Sequence, residues 1–239
     1  MPPERVAPWP VPAPPGVFVT ATGTEVGKSV VAAVIANTMR AGGTKVSVFK
    51  PVLTGLAEPG EPDHHLLRRA AGSKQRDEEI APYRFDRALS PHLAADLLGT
   101  TIERSHLLAG AAAAAAAGQY VICEGVGGLL APLRLDYSVR DFAADLDLPT
   151  VIVALPGLGT INHTLLSVEA ARSAGLRLAA IVLNRWPNQP DRIATSNKQT
   201  IAAISGLPVL AVAEIALEDP GSWPALDPLS SDPEARLQP

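Results

Sequence analysis

Short, almost continuous runs of apolar residues recur along the chain, and segments of helical character separate them. The runs cover residues 17–20, 45–49, 119–123, 149–154, 178–183 and 208–213. Strands that are apolar throughout, rather than in alternation, are typical of parallel sheets buried on both faces. The repeated strand–helix units therefore predict an α/β fold with a doubly wound, mainly parallel sheet, helices on both faces and right-handed crossovers.

The segments between the runs predict helices. These helices span residues 28–41, 92–98, 102–117, 138–146, 161–174 and 191–205, and a short helix starts at Asp63. Gly42 and Gly118 stand where helices end, a position that favours glycine. Ser138 and Asp141 have the spacing of a capping box. Residues 73–90 are polar without periodicity and predict an irregular connection.

Two terminal segments stand apart from this pattern. Residues 1–16 contain seven prolines, which exclude a helix or a paired strand and predict an extended, mobile arm. Residues 218–239 are rich in proline and aspartate, lack periodicity and predict a mobile tail. We therefore expect a single α/β domain over residues 17–217, an ordinary size for such a domain.

Composition describes the core and excludes some partners. The sequence is 47% hydrophobic but only 4% aromatic, so Ala, Val, Leu and Ile must form most of the core. Twenty basic and 24 acidic residues give a net charge of −4, whereas a general nucleic-acid binder carries a basic excess. No apolar run approaches the roughly 18 residues that span a bilayer, and the N-terminus lacks the apolar region of a signal peptide. The single cysteine, Cys123, excludes an intramolecular disulfide and suits a reducing compartment. We expect a cytoplasmic protein that binds neither nucleic acid nor membranes.

The first candidate functional segment along the chain is residues 17–29, VFVTATGTEVGKS. A β-type run enters a small-residue loop that ends in Gly27-Lys28-Ser29 and continues into a helix, which is the context of a phosphate-binding loop. Backbone N–H groups at the helix N-terminus bind anionic oxygens, the lysine neutralises phosphate charge and the serine hydroxyl is offered to Mg²⁺. The usual spacing requires glycine at the position of Thr22, and a start at Ala21 makes the loop one residue longer. The alternative is a chance Gly-Lys-Ser at a helix start.

Other polar residues stand at the ends of predicted strands. Lys50 follows the second run, Glu124 and a glycine-rich turn follow the third, and Asn184 follows the fifth. Ligands bind at the carboxyl edge of open parallel sheets, and a carboxylate at this edge is suited to Mg²⁺. Lys50 alone favours a solvated turn residue, whereas the glycines after Glu124 argue against a simple surface turn, because they let the chain approach a ligand closely. Their common edge, which they share with Lys28, predicts one site.

Two further segments carry candidate ligands. Asp63 is a candidate Mg²⁺ ligand, and capping of the helix that it starts competes with that role. His64 and His65 are adjacent, so on a helix they point in different directions and predict a poor zinc chelate. Residues 156–160 form a second small-residue loop before a helix, a position that is suited to binding an anion such as a substrate carboxylate.

Six segments together resemble the dethiobiotin synthetase family. They are VTATGTEVGKS at 19–29, KPVLTG at 50–55, SPHLAA at 90–95, CEGVGGLLAPL at 123–133, GLGTINHTLL at 157–166 and VLNR at 182–185. The segments occur in the family's order, and the resemblance covers roughly residues 17–215. The combination of T-E-V-G-K-[ST], E-G-x-G-G and G-x-I-N-H is specific.

The resemblance implies an ATP-dependent ligase of biotin biosynthesis with a phosphate-loop NTPase fold. In the family's reaction, 7,8-diaminononanoate takes up CO2, available from bicarbonate, as a carbamate; ATP phosphorylates the carbamate; and the second amine closes the ureido ring. ATP as co-substrate, Mg²⁺ as cofactor and a homodimer with shared active sites are implied as well. Phosphoryl transfer needs positioning and charge stabilisation rather than a covalent nucleophile.

The resemblance also implies a role for each matching residue. The implied catalytic residues are Lys28, Lys50 and Thr24, and the implied Mg²⁺ ligands are Ser29, Asp63 and Glu124. The implied nucleotide site comprises Thr24, Glu25, Val26, Gly27, Lys28, Ser29, Asn184 and Arg185. The implied substrate site comprises Lys50, Thr54, Gly127, Gly159, Thr160, Ile161 and Asn162. Within these sets, Lys50 stabilises the carbamate and the phosphate in transfer, Asn184 reads the base, and the helix N-terminus at 159–162 comes from the second subunit.

The sequence departs from the family pattern at several positions. Ala21 replaces the first loop glycine, at a cost of about 1 kcal/mol if that position needs a positive φ. Gly157 stands where the family often has lysine, and Ala213 stands where proline is usual in the base-binding turn. Gly23 stands where an acidic or small polar residue is common, and Ser29 replaces threonine while keeping the hydroxyl.

Two other functions are compatible with the same residues. One is another ATP-dependent amidoligase or a partition-type ATPase of the same superfamily; partition-type proteins usually carry an early loop lysine, where this chain has Thr22 and Gly23. The other is a non-catalytic, nucleotide-binding regulatory module. Such modules lose the catalytic lysines, whereas Lys28 and Lys50 are both present.

Overall fold

The computed structural model describes residues 9–10 and 13–238. Its strands are β1 Gly16–Ala21, β2 Val46–Phe49, β3 Val52–Thr54, β4 Tyr83–Phe85, β5 Tyr120–Glu124, β6 Pro132–Arg134, β7 Tyr137–Ser138, β8 Thr150–Ala154, β9 Leu178–Trp186, β10 Val209–Ala213, β11 Ala225–Leu226 and β12 Leu237–Gln238. Its α-helices are α1 Lys28–Ala41, α2 Asp63–Ala71, α3 Asp77–Ile80, α4 Pro91–Leu97, α5 Arg104–Ala117, α6 Val139–Leu146, α7 Thr160–Ser173 and α8 Arg192–Ser205.

Six parallel strands form the central sheet in the order β10-β9-β8-β1-β5-β2. The chain builds β2 and β5 on one side of β1 and then β8, β9 and β10 on the other. Winding thus changes direction at β1, and open α/β sheets bind ligands at such a switch point. The doubly wound, mainly parallel sheet predicted from the sequence is confirmed.

Side chains that alternate along the strands divide the core between two helical layers. Phe18 of β1 and Phe49 of β2 both pack on Phe142 of α6, in a cluster that includes α5. Val17 and Val19 of β1 point the other way, into a cluster formed with α1 and α2. Because the central strands are buried on both faces, their sequences are apolar throughout.

The predicted helices are all present, and their ends follow local chemistry. At the start of α6 the capping box is formed: Ser138 N–H donates to Asp141 Oδ2 (2.8 Å), and Asp141 N–H donates to Ser138 Oγ (3.3 Å). At the end of α1 the Gly42 N–H donates to Thr38 O (3.1 Å). None of the helices in the described residues is both long and apolar enough to cross a membrane.

Residues 73–90 are more ordered than the prediction of an irregular connection. They contain α3 and β4, and β4 pairs in parallel with β3. The carbonyl of Ile80, at the end of α3, accepts a hydrogen bond from Lys50 N–H (2.8 Å). This segment therefore fixes the backbone of a predicted site residue.

The expectation of a mobile tail at 218–239 is wrong for residues 218–238, which pack against α1. Trp223 and Leu226 are buried with the α1 cluster. The side-chain amide of Asn37 donates to Pro220 O (3.0 Å), and Leu226 N–H donates to Thr38 Oγ1 (2.9 Å). The burial of two large apolar side chains accounts for the order of a segment that lacks periodicity.

The predicted N-terminal arm is only partly described. Residues 1–8 and 11–12 lie outside the described residues, so their mobility stays a prediction. Trp9 is buried in the cluster of Phe18 and α5. Pro15 O accepts a hydrogen bond from Val121 N–H (3.0 Å), and Gly16 already belongs to β1. The arm boundary at residue 16 is therefore wrong, because the chain joins the domain before that residue.

Replacing Trp223 by alanine is expected to destabilise the domain by about 3–5 kcal/mol, the usual range for removing a buried tryptophan. The side chain is buried, and its Nε1–H donates to Ala216 O (2.8 Å). The measurement is the free energy of unfolding in urea. Leu135→Ala is the control, because Leu135 is 91% exposed. Equal stability of both variants and the parent would contradict a contribution of this segment to the core.

Candidate active site

The loop between β1 and α1 is built to bind an anion. Gly27 precedes α1 with φ 88°, and no side chain caps the helix. The first α-helical hydrogen bond runs from Val31 N–H to Gly27 O (3.1 Å), so the N–H groups before Val31 have no intrahelical acceptor. Lys28 is buried, and its Nζ donates to Gly23 O across the loop (3.4 Å). Free backbone donors and one lysine in a closed loop form a phosphate cradle.

Asn184 holds this loop in place through a hydrogen bond from its side chain. Its side chain is buried, and Nδ2 donates to Val26 O (3.0 Å). A Cβ on Gly27 would lie 2.0 Å from Asn184 Nδ2. Glycine is thus needed at position 27 for two reasons: the backbone is left-handed, and Asn184 of β9 approaches too closely for a Cβ.

A buried charge cluster lies beside the loop. Lys50 Nζ lies 2.5 Å from Glu124 Oε1 and 2.8 Å from Asp63 Oδ2. Ser29 Oγ donates to the same Glu124 oxygen (2.8 Å). The side chains of Lys50 and Glu124 are almost fully buried, whereas that of Asp63 is 42% exposed. The structure therefore brings Lys50, Asp63, Glu124 and Ser29 together in one cluster, and the binding of Mg²⁺ by Ser29, Asp63 and Glu124 stays a prediction.

The charges of this cluster determine its protonation. Burial alone would lower the pKa of Lys50, but the carboxylates of Glu124 and Asp63 outweigh burial and raise it. Burial tends to raise the pKa of Asp63, and the Lys50 ammonium overcomes this and lowers it. Burial raises the pKa of Glu124 despite the attraction of Lys50, while burial lowers the pKa of Lys28. Lys50 is held firmly protonated, so it is suited to neutralising charge rather than to acting as a base.

The donor set suits a hard divalent cation. One hydroxyl and two carboxylates converge, and Mg²⁺ prefers oxygen donors of this kind. Within the described part of the chain, Glu124 Oε2 is buried and has no hydrogen-bond partner, and an orphaned carboxylate oxygen of this kind needs a cation or water to satisfy it. Asp63 does not cap its helix, since Pro62 occupies the cap position. Its carboxylate is thereby left for the cluster.

A cavity of about 700 Å³ opens in front of the loop. It is largely apolar and is lined by Thr22–Glu25, Thr54, Ala88–Pro91, Val126–Ala131, His163, Leu166, Ser167 and Ala170. The predicted site residues Thr24, Glu25, Thr54 and Gly127 are among them. Pockets of this size, apolar with a few polar groups, are typical of small-molecule sites.

Comparison with known proteins places the chain in a family. A family model described as an AAA domain matches residues 15–218. The ATP-dependent dethiobiotin synthetase BioD of Bacillus subtilis (strain 168) is 37% identical over 198 residues, which cover 82% of this chain and 86% of the relative. The protein of the same name from Anaeromyxobacter dehalogenans (strain 2CP-1) is 42% identical over 191 residues, which cover 80% and 85% of the two chains. This chain belongs to the dethiobiotin synthetase family.

A solved structure supports the fold alone. Apo McdA of Cyanthece has a TM-score of 0.52 and 11% identity, over 84% of this chain and 86% of that one. At this identity the likeness supports the arrangement of the sheet and its helices, and it supports no statement about a ligand. The fold assignment therefore agrees with membership of the dethiobiotin synthetase family without adding to its chemistry.

The structure explains why this member of the dethiobiotin synthetase family tolerates Ala21. Ala21 is the last residue of β1, pairs with Val153 and is fully buried. It is not among the residues with positive φ, which in the loop are Glu25 and Gly27. The position needs a small side chain and not glycine's freedom, so the substitution carries no backbone strain.

The α7 N-terminus is a separate feature of this family member. Gly159 precedes α7 with φ 89° and no side chain caps the helix, but Gly159–Asn162 do not line the cavity. Thr160 N–H donates to Gly157 O (3.2 Å), and its hydroxyl lies 3.4 Å from that of Thr164. Substrate binding by Gly159, Thr160, Ile161 and Asn162 stays a prediction.

Asn184 and Arg185 sit at the end of β9 beside the loop. Arg185 is exposed and has φ 55°, a strained backbone for a non-glycine residue. The pairing of β9 with β10 is irregular between Val212 and Ala213, where the dethiobiotin synthetase pattern has proline. Base reading by Asn184 and nucleotide contact by Arg185 stay predictions.

Some lining residues were not predicted as site residues. The connection Ala88–Pro91 and the α7 residues His163, Leu166, Ser167 and Ala170 all face the cavity. The signal for the first group was the SPHLAA segment, which was recognised as a match but given no role. In the second group, His163 and Leu166 lie in the GLGTINHTLL segment, which was also recognised as a match without a role for these two residues, whereas no motif or periodicity distinguishes Ser167 and Ala170.

Proposed function

We propose that this chain is an ATP-dependent dethiobiotin synthetase. One amine of 7,8-diaminononanoate takes up CO2 and loses a proton to form a carbamate. The carbamate oxygen attacks the γ-phosphate of ATP and expels ADP, and the second amine attacks the carbonyl carbon of the mixed anhydride, closes the ureido ring and expels phosphate. The observation that carries the proposal is the Lys50 ammonium, buried between two carboxylates beside the phosphate loop of a family member.

The loop holds the nucleotide in this proposal. The free N–H groups at the start of α1 and Lys28 bind the phosphates, Thr24 and Glu25 border the cavity, and Val26–Ser29 complete the loop. Lys50 stabilises the carbamate and the phosphoryl group in transfer, because its ammonium is held at the carboxyl edge of β2. Charge stabilisation of this kind is the main source of catalysis in phosphoryl transfer.

Mg²⁺ is the proposed cofactor. Ser29, Asp63 and Glu124 would hold it, and the ion would supply neutralisation of the phosphate oxygens. The orphaned Glu124 Oε2 and the convergence of three oxygen donors support this assignment.

The cavity supports the choice of substrate. Its apolar wall, from Leu129 to Ala131 and from Leu89 to Pro91, matches an aliphatic diamine chain. The polar residues Thr24 and Thr54 also line the cavity, and the two amines of the substrate would be placed beside them. Gly127, with φ 62°, has no side chain to separate the backbone from the substrate.

A homodimer with shared sites is part of the proposal. Leu158, just before α7, is 96% exposed, and Leu166 of α7, which lines the cavity, is 58% exposed. Exposed leucines next to a substrate cavity suit a partner surface. The α7 N-terminus at Gly159–Asn162 of one subunit would then lie against the substrate carboxylate in the other. A cytoplasmic location is proposed from the single Cys123, whose buried thiol suits a reducing compartment.

The experiment measures phosphate release from MgATP and bicarbonate with and without 7,8-diaminononanoate, together with formation of dethiobiotin by mass spectrometry. We expect release that depends on the diamine and matches the product one to one. ATP turnover that ignores the diamine would instead indicate another enzyme of the superfamily. Nucleotide binding without turnover would indicate a regulatory module.

A further inference from the structure

A second group of potential metal ligands lies at the junction of α2 and α3, outside the cluster around Lys50. His64 and His65 are in the first turn of α2, and Asp77 is the first residue of α3. Asp77 Oδ2 lies 3.5 Å from His64 Nε2 and 3.3 Å from His65 Nε2. The three donor atoms all lie within 4.8 Å of one another. The expectation that adjacent histidines diverge is wrong here, because the two rings lie 4.2 Å apart between centroids.

These separations match the spacing of donors around a tetrahedral metal ion. Zinc–ligand bonds to imidazole nitrogen and carboxylate oxygen are about 2.0–2.2 Å long, which places the ligand atoms of a tetrahedron about 3.3–3.6 Å apart. Both distances from Asp77 lie in that range. The third separation, between the two imidazole nitrogens, is at most 4.8 Å.

His64 supplies an independent observation. The residue is only 2% exposed, yet neither of its ring nitrogens has a hydrogen-bond partner among the residues that the structure describes. A buried imidazole without partners is costly unless another group satisfies it. Its Nε2 faces the same Asp77 oxygen as His65 does, so a cation at that point would satisfy the orphaned atom.

The surroundings of the three ligands limit the strength of binding and complete the ligand shell. Arg68 Nη1 contacts the other carboxylate oxygen, Asp77 Oδ1, as an outer partner that orients a ligating carboxylate. Arg68 and Arg84 are positive groups near the ligands, and both weaken the attraction for a cation. His65 and Asp77 are more than a third exposed, which leaves room for water as the remaining ligand.

We propose that His64, His65 and Asp77 form a binding site for a zinc-class transition metal ion, distinct from the oxygen-donor site of Ser29, Asp63 and Glu124. Two imidazoles and one carboxylate select zinc, cobalt or nickel over Mg²⁺, which prefers oxygen. The two sites are separate although they are adjacent in sequence, because Asp63 contacts Lys50 whereas His64 faces Asp77. A bound ion would tie α2 to α3 and thereby fix the first turn of the helix that carries Asp63.

The test measures Zn²⁺ binding by equilibrium dialysis in excess Mg²⁺, with Co²⁺ absorption as the report on coordination geometry. The variants are His65→Ala and Asp77→Asn, chosen because both side chains are partly exposed and their loss leaves the core intact. His106→Ala is the matched control for an exposed histidine. The Glu124→Gln variant shows whether bound zinc is held instead by the oxygen-donor site of Ser29, Asp63 and Glu124.

We expect one Zn²⁺ per chain in the parent and in His106→Ala, with tetrahedral Co²⁺ bands and a rise in melting temperature on adding zinc. His65→Ala and Asp77→Asn should lose affinity by about 100-fold or more, beyond the loss typical of an outer partner. Retained binding in those two variants, or loss in Glu124→Gln alone, would overturn the proposal. The result is independent of ligase activity, so it is separable from failure of the proposed function.

Discussion

The Lys50→Met variant is expected to lose about 10³-fold in diamine-dependent phosphate release while still binding ATP. Removal of a single group that stabilises developing charge costs 10²- to 10³-fold in rate, and removal of a cation that acts on a transferring phosphoryl group costs 10³-fold or more. Lys50 is held protonated between Asp63 and Glu124. Methionine preserves the length and the apolar stem of the side chain but removes the charge.

The same variant gives a second readout that does not depend on turnover. In the nucleotide-free protein the Lys50 ammonium is the cation that neutralises both carboxylates. Without it, Asp63 and Glu124 are expected to bind Mg²⁺ more tightly in the absence of ATP, as measured by calorimetry. The stability of the variant should also depend on pH. Burial raises the pKa of Glu124, and loss of the Lys50 ammonium removes a charge that lowers it. The destabilisation should therefore grow as the pH rises and Glu124 loses its proton, and should shrink as the pH falls and the group protonates.

Lys45→Met is the matched control for both measurements. Lys45 precedes β2 at the opposite edge of the sheet, and its side chain is exposed. We expect this control to behave like the parent in rate, in Mg²⁺ affinity and in stability. A Lys50→Met enzyme with nearly full turnover would contradict the assigned role of Lys50, whatever its stability.

The edge of the sheet that carries the site was predictable, because it depends on strand direction alone. Lys50, Glu124 and Asn184 each stand at the carboxyl end of an apolar run, and parallel strands bring such ends together. The meeting of Lys50 Nζ with Glu124 at 2.5 Å could be expected in outline. The bond from Ser29 to Glu124 and the role of Asn184 beneath Val26 could not, because these contacts depend on side-chain positions rather than on pattern.

Order in irregular segments was not predictable from periodicity. The residues around Tyr83 form a strand of three residues, too short for an alternation to be recognised, and their pairing with β3 requires the tertiary fold. The segment after residue 217 lacks periodicity, yet Trp223 and Leu226 anchor it on α1. His64 and Asp77 meet for the same reason: a contact between two helices carries no local signal.

Replacing Gly27 by alanine is expected to reduce ATP affinity by about 10²- to 10³-fold, the second large effect. Alanine at φ 88° costs about 1–2 kcal/mol. Its Cβ would lie 2.0 Å from Asn184 Nδ2, which must move away. That movement breaks the hydrogen bond from Asn184 Nδ2 to Val26 O and leaves the buried side-chain amide without a partner, which costs about 1–3 kcal/mol. Together these costs are about 2–5 kcal/mol, and each 1.4 kcal/mol is tenfold in affinity.

The matched control is Gly23→Ala in the same loop. No atom lies within 4 Å of a Cβ built on Gly23, and its φ is not positive. The family pattern also has acidic or small polar side chains at this position, so alanine should leave ATP affinity within a few-fold of the parent. Binding of a fluorescent ATP analogue measures both variants, with the unfolding free energy as the check on global stability. If Gly27→Ala binds as tightly as Gly23→Ala, the loop geometry at Asn184 does not hold the nucleotide, because strain and clash act on Gly27 alone.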